Sequence, residues 1–377
     1  MIRVGIIWFL FLLSLLTIVK APAYYLWLFS IVVTELPWIF IIITLFLLIW
    51  GFGVSKYRLV AGIPGAIALL LFCTPVVRAY IVAGSLKQNF ETVFGLGSTK
   101  IETPAIKEPF RFLKMLAGIG AKLQPYKVLT YDTGNNLNFD FYSSAITGKR
   151  PCVIVVHGGS WSSGDSRQLP ELNTQLTHIG YQVASINYRL APKYQNPAPV
   201  EDIRKTISYL KTHAGELQID TNKFVLLGRS AGGQIALLAA YTLHEPCLKA
   251  VISYYGPADM VWGYSIPSNP MIMDSRKVMD DYLGGTYQQV PKNFEASSPL
   301  LAVTKNSVPT LLIHGEMDVL VAYEHTRRLN IKLNELGVKH FVLTLPWATH
   351  GCDFTLNGPS GQLATYTVSR FLNQVTK

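Results

Sequence analysis

The stretch Lys223–Ala240, KFVLLGRSAGGQIALLAA, decides how this chain is read. Its first five residues form a short apolar run of strand type, and from Ala231 onward the residues are strong helix formers. Between the two lies Gly228-Arg229-Ser230-Ala231-Gly232, a G-x-S-x-G. A serine held in a tight strand-to-helix turn needs neighbours two positions away that allow close backbone packing, and glycine supplies them. Roughly 0.1 such matches are expected by chance in a chain of this length, so the strand–turn–helix context carries the assignment. Ser230 is a candidate nucleophile.

Similar apolar runs flank it. Cys152–His157 (CVIVVH), Tyr181–Tyr188 (YQVASINY), Ala250–Tyr255 (AVISYY), Thr310–His314 (TLLIH) and His340–Leu345 (HFVLTL) are rich in Val, Ile and Leu. They lack strict alternation, as strands buried on both faces of a parallel sheet do. Helical segments fall between them at Val200–Leu217, Ala231–His244, Tyr323–Leu336 and Gln362–Val375. The alternation predicts an α/β fold with a central, mostly parallel sheet flanked by helices.

A nucleophilic serine needs a base, and the base needs an acid to orient it. After the run TLLIH comes Gly315-Glu316-Met317-Asp318, and after HFVLTL comes Pro346-Trp347-Ala348-Thr349-His350. Asp318 and His350 thus occupy the two loops where such a sheet places acid and base. Glu316 is a rival acid. Among rival bases, His325 falls inside a helix, His340 lies at the wrong end of its strand, and His314 precedes the acid. Upstream, His157-Gly158-Gly159-Ser160-Trp161 ends a strand, and its glycines let backbone N–H groups turn toward an oxyanion. The N–H groups of Gly159, Ser160 and Ala231 are the candidate oxyanion donors, with Gly158 shaping the turn and His157 orienting the loop.

With these residues in place, the segment from about residue 126 to 377 resembles an α/β-hydrolase, specifically the hormone-sensitive-lipase-like esterases and their HGG-x-W relatives. The likeness rests on HGGSW (157–161), NYRLAP (187–192), GRSAGG (228–233), YYGPAD (254–259), SSPL (297–300), HGEMDVLV (314–321) and THG (349–351). Three positions depart from the lipase-like pattern: Arg229 and Asn187 where Asp is usual, and Val319 where Pro is usual. The resemblance implies hydrolysis of carboxylic esters by Ser230, His350 and Asp318 through an acyl-enzyme, without metal or organic cofactor. It also implies a cap over residues 257–300, whose MVWGYSIPSNPMIM suits an apolar lid. Amide or peptide cleavage on the same scaffold is the rival activity, and a non-catalytic membrane receptor the rival class.

The whole chain of 377 residues is 50% hydrophobic and only 15% charged, where about 25% is usual. The deficit sits at one end: residues 1–84 hold six charges, Arg3, Lys20, Glu35, Lys56, Arg58 and Arg78. This composition excludes a disordered or collagenous chain and a disulfide scaffold. The net charge of +10 is scattered without a Lys/Arg run, which argues against a nucleic-acid partner. Cys73, Cys152, Cys247 and Cys352 form no C-x-x-C, and Gly95-x-Gly97 has no dinucleotide fingerprint around it.

Within the poorly charged end, Val4–Val19, Pro37–Val54 and Leu59–Val77 are apolar runs near the length that crosses a ~30 Å hydrocarbon layer. They predict an all-α anchor of three spans over residues 1–84. Tyr24–Val33 is too short to span and, with its Tyr and Trp, suits the interface. Arg3 opens and Ala21-Pro22-Ala23 closes a segment that also resembles a cleavable signal peptide. With three spans, Arg3 and Lys56/Arg58 share the cytoplasmic side and the C-terminal domain faces outward; a fourth span would invert this. Residues 85–125 read as a linker in which Phe110–Leu123 forms a basic amphipathic helix, resting on lipid or packed on the domain. Membrane lipid is therefore an expected partner alongside an ester substrate.

Overall fold

A computed structural model describes residues 1–50, 58–95, 106–118 and 122–377. Helix α1 (Ile2–Ser14) runs into a 3₁₀ turn, and α2 (Tyr24–Glu35) and α3 (Pro37–Trp50) follow. Pro37 cannot continue the hydrogen bonding of α2, so the chain bends by 83° between the two. Helix α4 (Arg58–Phe94) is 37 residues long, and a four-residue turn, α5 (Phe112–Met115), precedes the first strand.

The remainder is an eight-stranded sheet with helices between its strands. The strands are β1 (Lys127–Asp132), β2 (Leu137–Tyr142), β3 (Arg150–Val156), β4 (Gln182–Ile186) and β5 (Ile219–Arg229). They continue with β6 (Leu248–Tyr254), β7 (Thr310–Gly315) and β8 (His340–Leu345). Their order across the sheet is β1-β2-β4-β3-β5-β6-β7-β8. Strands β1 and β2 pair antiparallel, β2 meets β4 antiparallel, and β4 through β8 are parallel. The helices are α6 (Pro170–His178), α7 (Ala198–Thr212) and α8 (Ala231–Thr242), then α9 (Met260–Ser265), α10 (Ser275–Leu283), α11 (Pro291–Ala296) and α12 (Pro299–Ala302). Helices α13 (Glu324–Glu335) and α14 (Pro359–Val375) complete the chain. The strands and helices expected within residues 126–377 are all present, joined by the β1–β2 hairpin and α6. The short helices α9–α12 fall between β6 and β7, in the interval expected to hold a cap.

The core has two faces. Ile203 and Ile207 of α7, Ile235 of α8, and Leu329 of α13 cover one side of the sheet. The other side is covered by Leu176 of α6, Phe371 of α14 and, from the N-terminal region, Leu86, Phe90 and Phe94 of α4. Those three residues recur every fourth position, which places them on one helical face. Phe90 meets Phe341 of β8 at 5.4 Å and Phe94 meets Phe371 at 5.5 Å between ring centroids. Arg370 donates to Glu91 at 2.7 Å. Helix α4 thus runs past residue 84, the expected end of the anchor, and its last turns pack on the domain.

The expected three-span anchor is met only in part. Among the described residues one helix, α4, is long and apolar enough to cross a membrane, and the bent pair α2–α3 qualifies only if counted together. Helix α1 with its turn ends at Thr17 and is too short, while residues 51–54 and Lys56 lie outside the described residues. Among the described residues of the expected amphipathic helix Phe110–Leu123, only Phe112–Met115 is helical. Phe110 and Met115 are instead buried against the domain. The backbone of Arg111 is held by the side chain of Gln362 at 2.9 and 3.2 Å, which stops the segment from lying free.

Candidate active site

Strand β5 delivers the chain into a turn whose central residue, Ser230, has φ 53° and ψ −121°. Such a backbone is strained for a residue with a side chain and persists only where packing enforces it. The enforcing contacts are close. A Cβ at Gly228 would stand 2.0 Å from the Gly232 carbonyl oxygen, and one at Gly232 would stand 2.3 Å from the carbonyl oxygens of Val156 and His157. Ser230 N–H donates to Tyr254 O at 2.9 Å, so the neighbouring strand fixes the turn.

Two further loops reach Ser230. His350, in the loop after β8, has Nε2 2.9 Å from Ser230 Oγ and Nδ1 2.7 Å from Asp318 Oδ2. Asp318, in the loop after β7, has Oδ1 accepting from the N–H groups of Leu320 and Val321 at 2.8 and 2.9 Å. Its Oδ2 is shared by His350 and His314 Nε2, the latter at 3.1 Å. Burial alone would raise this carboxyl's pKa. The neighbouring histidines and their hydrogen bonds outweigh it and hold Asp318 well below the usual carboxylate range.

The structure thus brings together Ser230, Asp318 and His350 and leaves the rivals aside. The Glu316 side chain is exposed. His340 bonds Val338 O and Asn330 at the start of β8. His325 is buried, its Nδ1 accepting from Ala258 N and Asp259 N at 3.3 and 3.2 Å, and burial pushes its pKa down to about 3. His314, weighed in the sequence only as a base, instead has Nε2 shared between Val321 O at 2.9 Å and the acid at 3.1 Å, with Thr326 Oγ1 2.7 Å from its Nδ1. The sequence signal for that contact is its place on the end of a buried strand, four residues before Asp318.

The glycine loop after β3 lies alongside. Gly159 (φ 124°), Ser160 (φ 53°) and Trp161 (φ 59°) form a run of positive φ that turns the backbone toward Ser230. Gly158 N–H is engaged by Gln168 Oε1 at 2.7 Å, consistent with its expected part in shaping the turn. His157 donates from Nδ1 to Gly158 O at 2.7 Å and stacks on Tyr188 at 4.3 Å, while burial lowers its pKa. Trp161 Nε1 donates to Gln234 Oε1 at 2.9 Å and its ring lies on Tyr282 at 4.6 Å, tying the loop to α8 and α10.

Sequence reasoning missed two features. Arg229 is fully buried and paired with Asp353, whose other oxygen accepts from Tyr255 OH; the Tyr255 ring lies 4.4 Å from His350. The other feature is α2. Trp27 Nε1 donates to His350 O at 3.1 Å, and Glu35 accepts from Ser360 N at the start of α14 at 3.1 Å. The expected interfacial segment therefore forms part of the wall of the site. Among the described residues no cluster of His, Cys, Asp or Glu is arranged to hold a metal.

A mostly parallel sheet, crossed to a strained serine between β5 and α8 with histidine and aspartate on later loops, is the α/β-hydrolase fold. The BD-FAE family model matches residues 139–333, just over half of the chain, and the chain belongs to that family. It is 30% identical over 247 residues to Esterase LipC of Mycobacterium tuberculosis, covering 61% of this chain and 59% of that one. Esterase LipQ of the same organism is 28% identical over 242 residues, covering 60% and 56%. The chain therefore spans less than two thirds of the length of these relatives. Among solved structures, the carboxylesterase EstE1, cloned from a metagenomic library, superposes with a TM-score of 0.60 at 20% identity, covering 70% of this chain and 93% of that one. That likeness speaks to the fold.

Proposed function

We propose that the chain is a membrane-anchored serine hydrolase of carboxylic esters, acting through Ser230, His350 and Asp318. The observation that carries this reading is the continuous path from Ser230 Oγ through His350 to Asp318, at 2.9 and 2.7 Å. Ser230 Oγ attacks the acyl carbon while His350 Nε2 accepts its proton. Asp318, kept ionised by its histidine neighbours and oriented by its two backbone donors, stabilises the imidazolium. The N–H groups of Gly159, Ser160 and Ala231 receive the oxyanion, and Gly158 holds the loop that presents them. His350 then returns the proton to the leaving alcohol, and water releases the acid from Ser230. The names of the LipC and LipQ relatives favour esters as the substrate class.

The anchoring half of the reading rests on exposed apolar side chains. Phe9 on α1, Phe46 and Trp50 on α3, and Leu70 and Ile81 on α4 are each more than half exposed. Contiguous apolar surface beyond a few hundred Å² marks a contact with lipid or another protein. Helices α1 to α3 and the first part of α4 supply the anchor, residues 126–377 the catalytic domain and 257–300 the cap. Purified protein is expected to hydrolyse p-nitrophenyl acetate and to leave aminoacyl anilides intact, with Ser230→Ala inactive. Equal turnover by Ser230→Ala, or a preference for anilides, would refute the ester reading. Recovery of the chain in the soluble fraction after lysis without detergent would refute the anchor.

A further inference from the structure

Two cavities meet at Ser230, and they differ in size and in what walls them. The smaller, about 140 Å³, lies under the cap between Met260, Trp262, Met279 and His325 and does not reach His350. The larger, about 420 Å³, contains His350 and is walled by Tyr24, Trp27 and Ile31 of α2, with Ile272 and Phe354 opposite. Ser160, Met273 and Leu320 stand between them and touch both.

The chemistry of ester cleavage assigns the two sides. The leaving alcohol oxygen takes its proton from His350 Nε2, so the alcohol must lie in the cavity that holds His350. The acyl group is left with the other. A cavity of about 150 Å³ accommodates one benzene ring, so the acyl side takes a chain of roughly six carbons or fewer. The alcohol side has no such limit, because it opens along α2.

Helix α2 is placed to feed that opening. It is seated on the cap through Tyr24 N–H to Met271 O at 3.1 Å and Asn269 Nδ2 to Pro22 O at 3.0 Å. It turns by 83° into α3, whose apolar side chains face outward. At its rim Tyr25, Phe29 and Met271 are exposed, the aromatic character favoured at a membrane–water interface. The charged group of the larger cavity, Arg229, is buried and bonds Asp353 through Nε, its two terminal nitrogens having no hydrogen-bond partner.

From this we infer that the substrate is a short-acyl ester of a long apolar alcohol, drawn from the bilayer past α2 with its acyl end under the cap. The inference rests on the esterase reading above. In the reaction, the Ser230 Oγ–acyl bond forms as the acyl–alcohol bond breaks, and His350 protonates the departing alkoxide. Water then cleaves the acyl-enzyme, so the products are a short carboxylic acid and a lipid alcohol.

The test uses the full chain in phosphatidylcholine vesicles with two isomeric esters, hexadecyl acetate and ethyl palmitate, which differ only in the end that carries the long chain. Hexadecyl acetate should turn over about tenfold faster or more. Placing a carboxylate in the alcohol cleft with Ile31→Asp should lower the ratio of hexadecyl acetate to p-nitrophenyl acetate turnover by about tenfold, which corresponds to ~1.4 kcal/mol. Equal rates on the two isomers, or a preference for ethyl palmitate, overturn the inference while p-nitrophenyl acetate turnover leaves the esterase reading standing. No turnover of any of the three esters overturns both. Should Ile31→Asp fail to fold, the isomer preference of the unaltered chain decides alone.

Discussion

Asp318→Asn converts the geometry of the acid into a rate. The Oδ1 side of Asp318 accepts two backbone N–H groups, so the amide oxygen of an asparagine must stay there. Its NH₂ group then faces His350 Nδ1 and His314 Nε2, where Asp318 Oδ2 received two donors. His350 relieves the clash by moving its proton to Nε2. That nitrogen, 2.9 Å from Ser230 Oγ, then donates to the serine and no longer takes its proton. Loss of the correct tautomer costs about 10⁴ in kcat in a triad of this kind, equivalent to ~5.5 kcal/mol at 1.36 per decade. The mismatched donors also cost about 1–3 kcal/mol of stability, well below the catalytic loss. Hydrolysis of p-nitrophenyl acetate with thermal unfolding in parallel separates the two effects. Glu316→Gln, on an exposed side chain, should leave kcat unchanged. A folded Asp318→Asn variant within tenfold of the native rate would refute the reasoning, and so would a large loss in Glu316→Gln.

Three other predictions follow from buried contacts. Gly232→Ala forces a methyl to within 2.3 Å of two backbone oxygens at the end of β3; since backbone must move, denaturant unfolding should show a loss above about 3 kcal/mol, and unchanged stability would contradict the packing. Arg229→Met leaves Asp353 buried without its partner and should cost about 3–5 kcal/mol, whereas Arg229→Met combined with Asp353→Leu should cost less than the single change. If the double variant is the worse, the pair is not coupled as described. His325 is held to about 3 by burial against an ordinary 6.5, so the unfolded chain takes up its proton first as pH falls. The stability this group contributes is complete above about pH 6.5 and declines by ~1.4 kcal/mol per pH unit below it; His325→Gln should flatten the slope between pH 4.5 and 6.5 in thermal melts, and an unchanged slope would exclude the assignment.

The chemistry around Ser230 was legible because it is written in short, local patterns. A strained turn demands Gly228 and Gly232, and acid and base must follow on strand ends, so Asp318 and His350 could be chosen before any geometry was known. The β1–β2 hairpin was less legible, because LNFDFY places polar residues between aromatic ones instead of forming a continuous aliphatic run. The N-terminal region was the least legible. Hydropathy records that Tyr24–Val33 is apolar but not what it touches, and Trp27 meets His350 across 323 positions of sequence. Similarly, the apolar run before Arg78 stops where charge appears, yet the helix continues because Leu86, Phe90 and Phe94 repeat on one face and find the sheet.

Covalent labelling tests the central claim most directly. The full chain, treated with a fluorophosphonate and digested, should carry the phosphonyl group on the peptide containing Ser230, at a stoichiometry approaching one per chain. Ser230→Ala should take up none. Absence of label in folded protein, or label on a residue other than Ser230, would contradict the account.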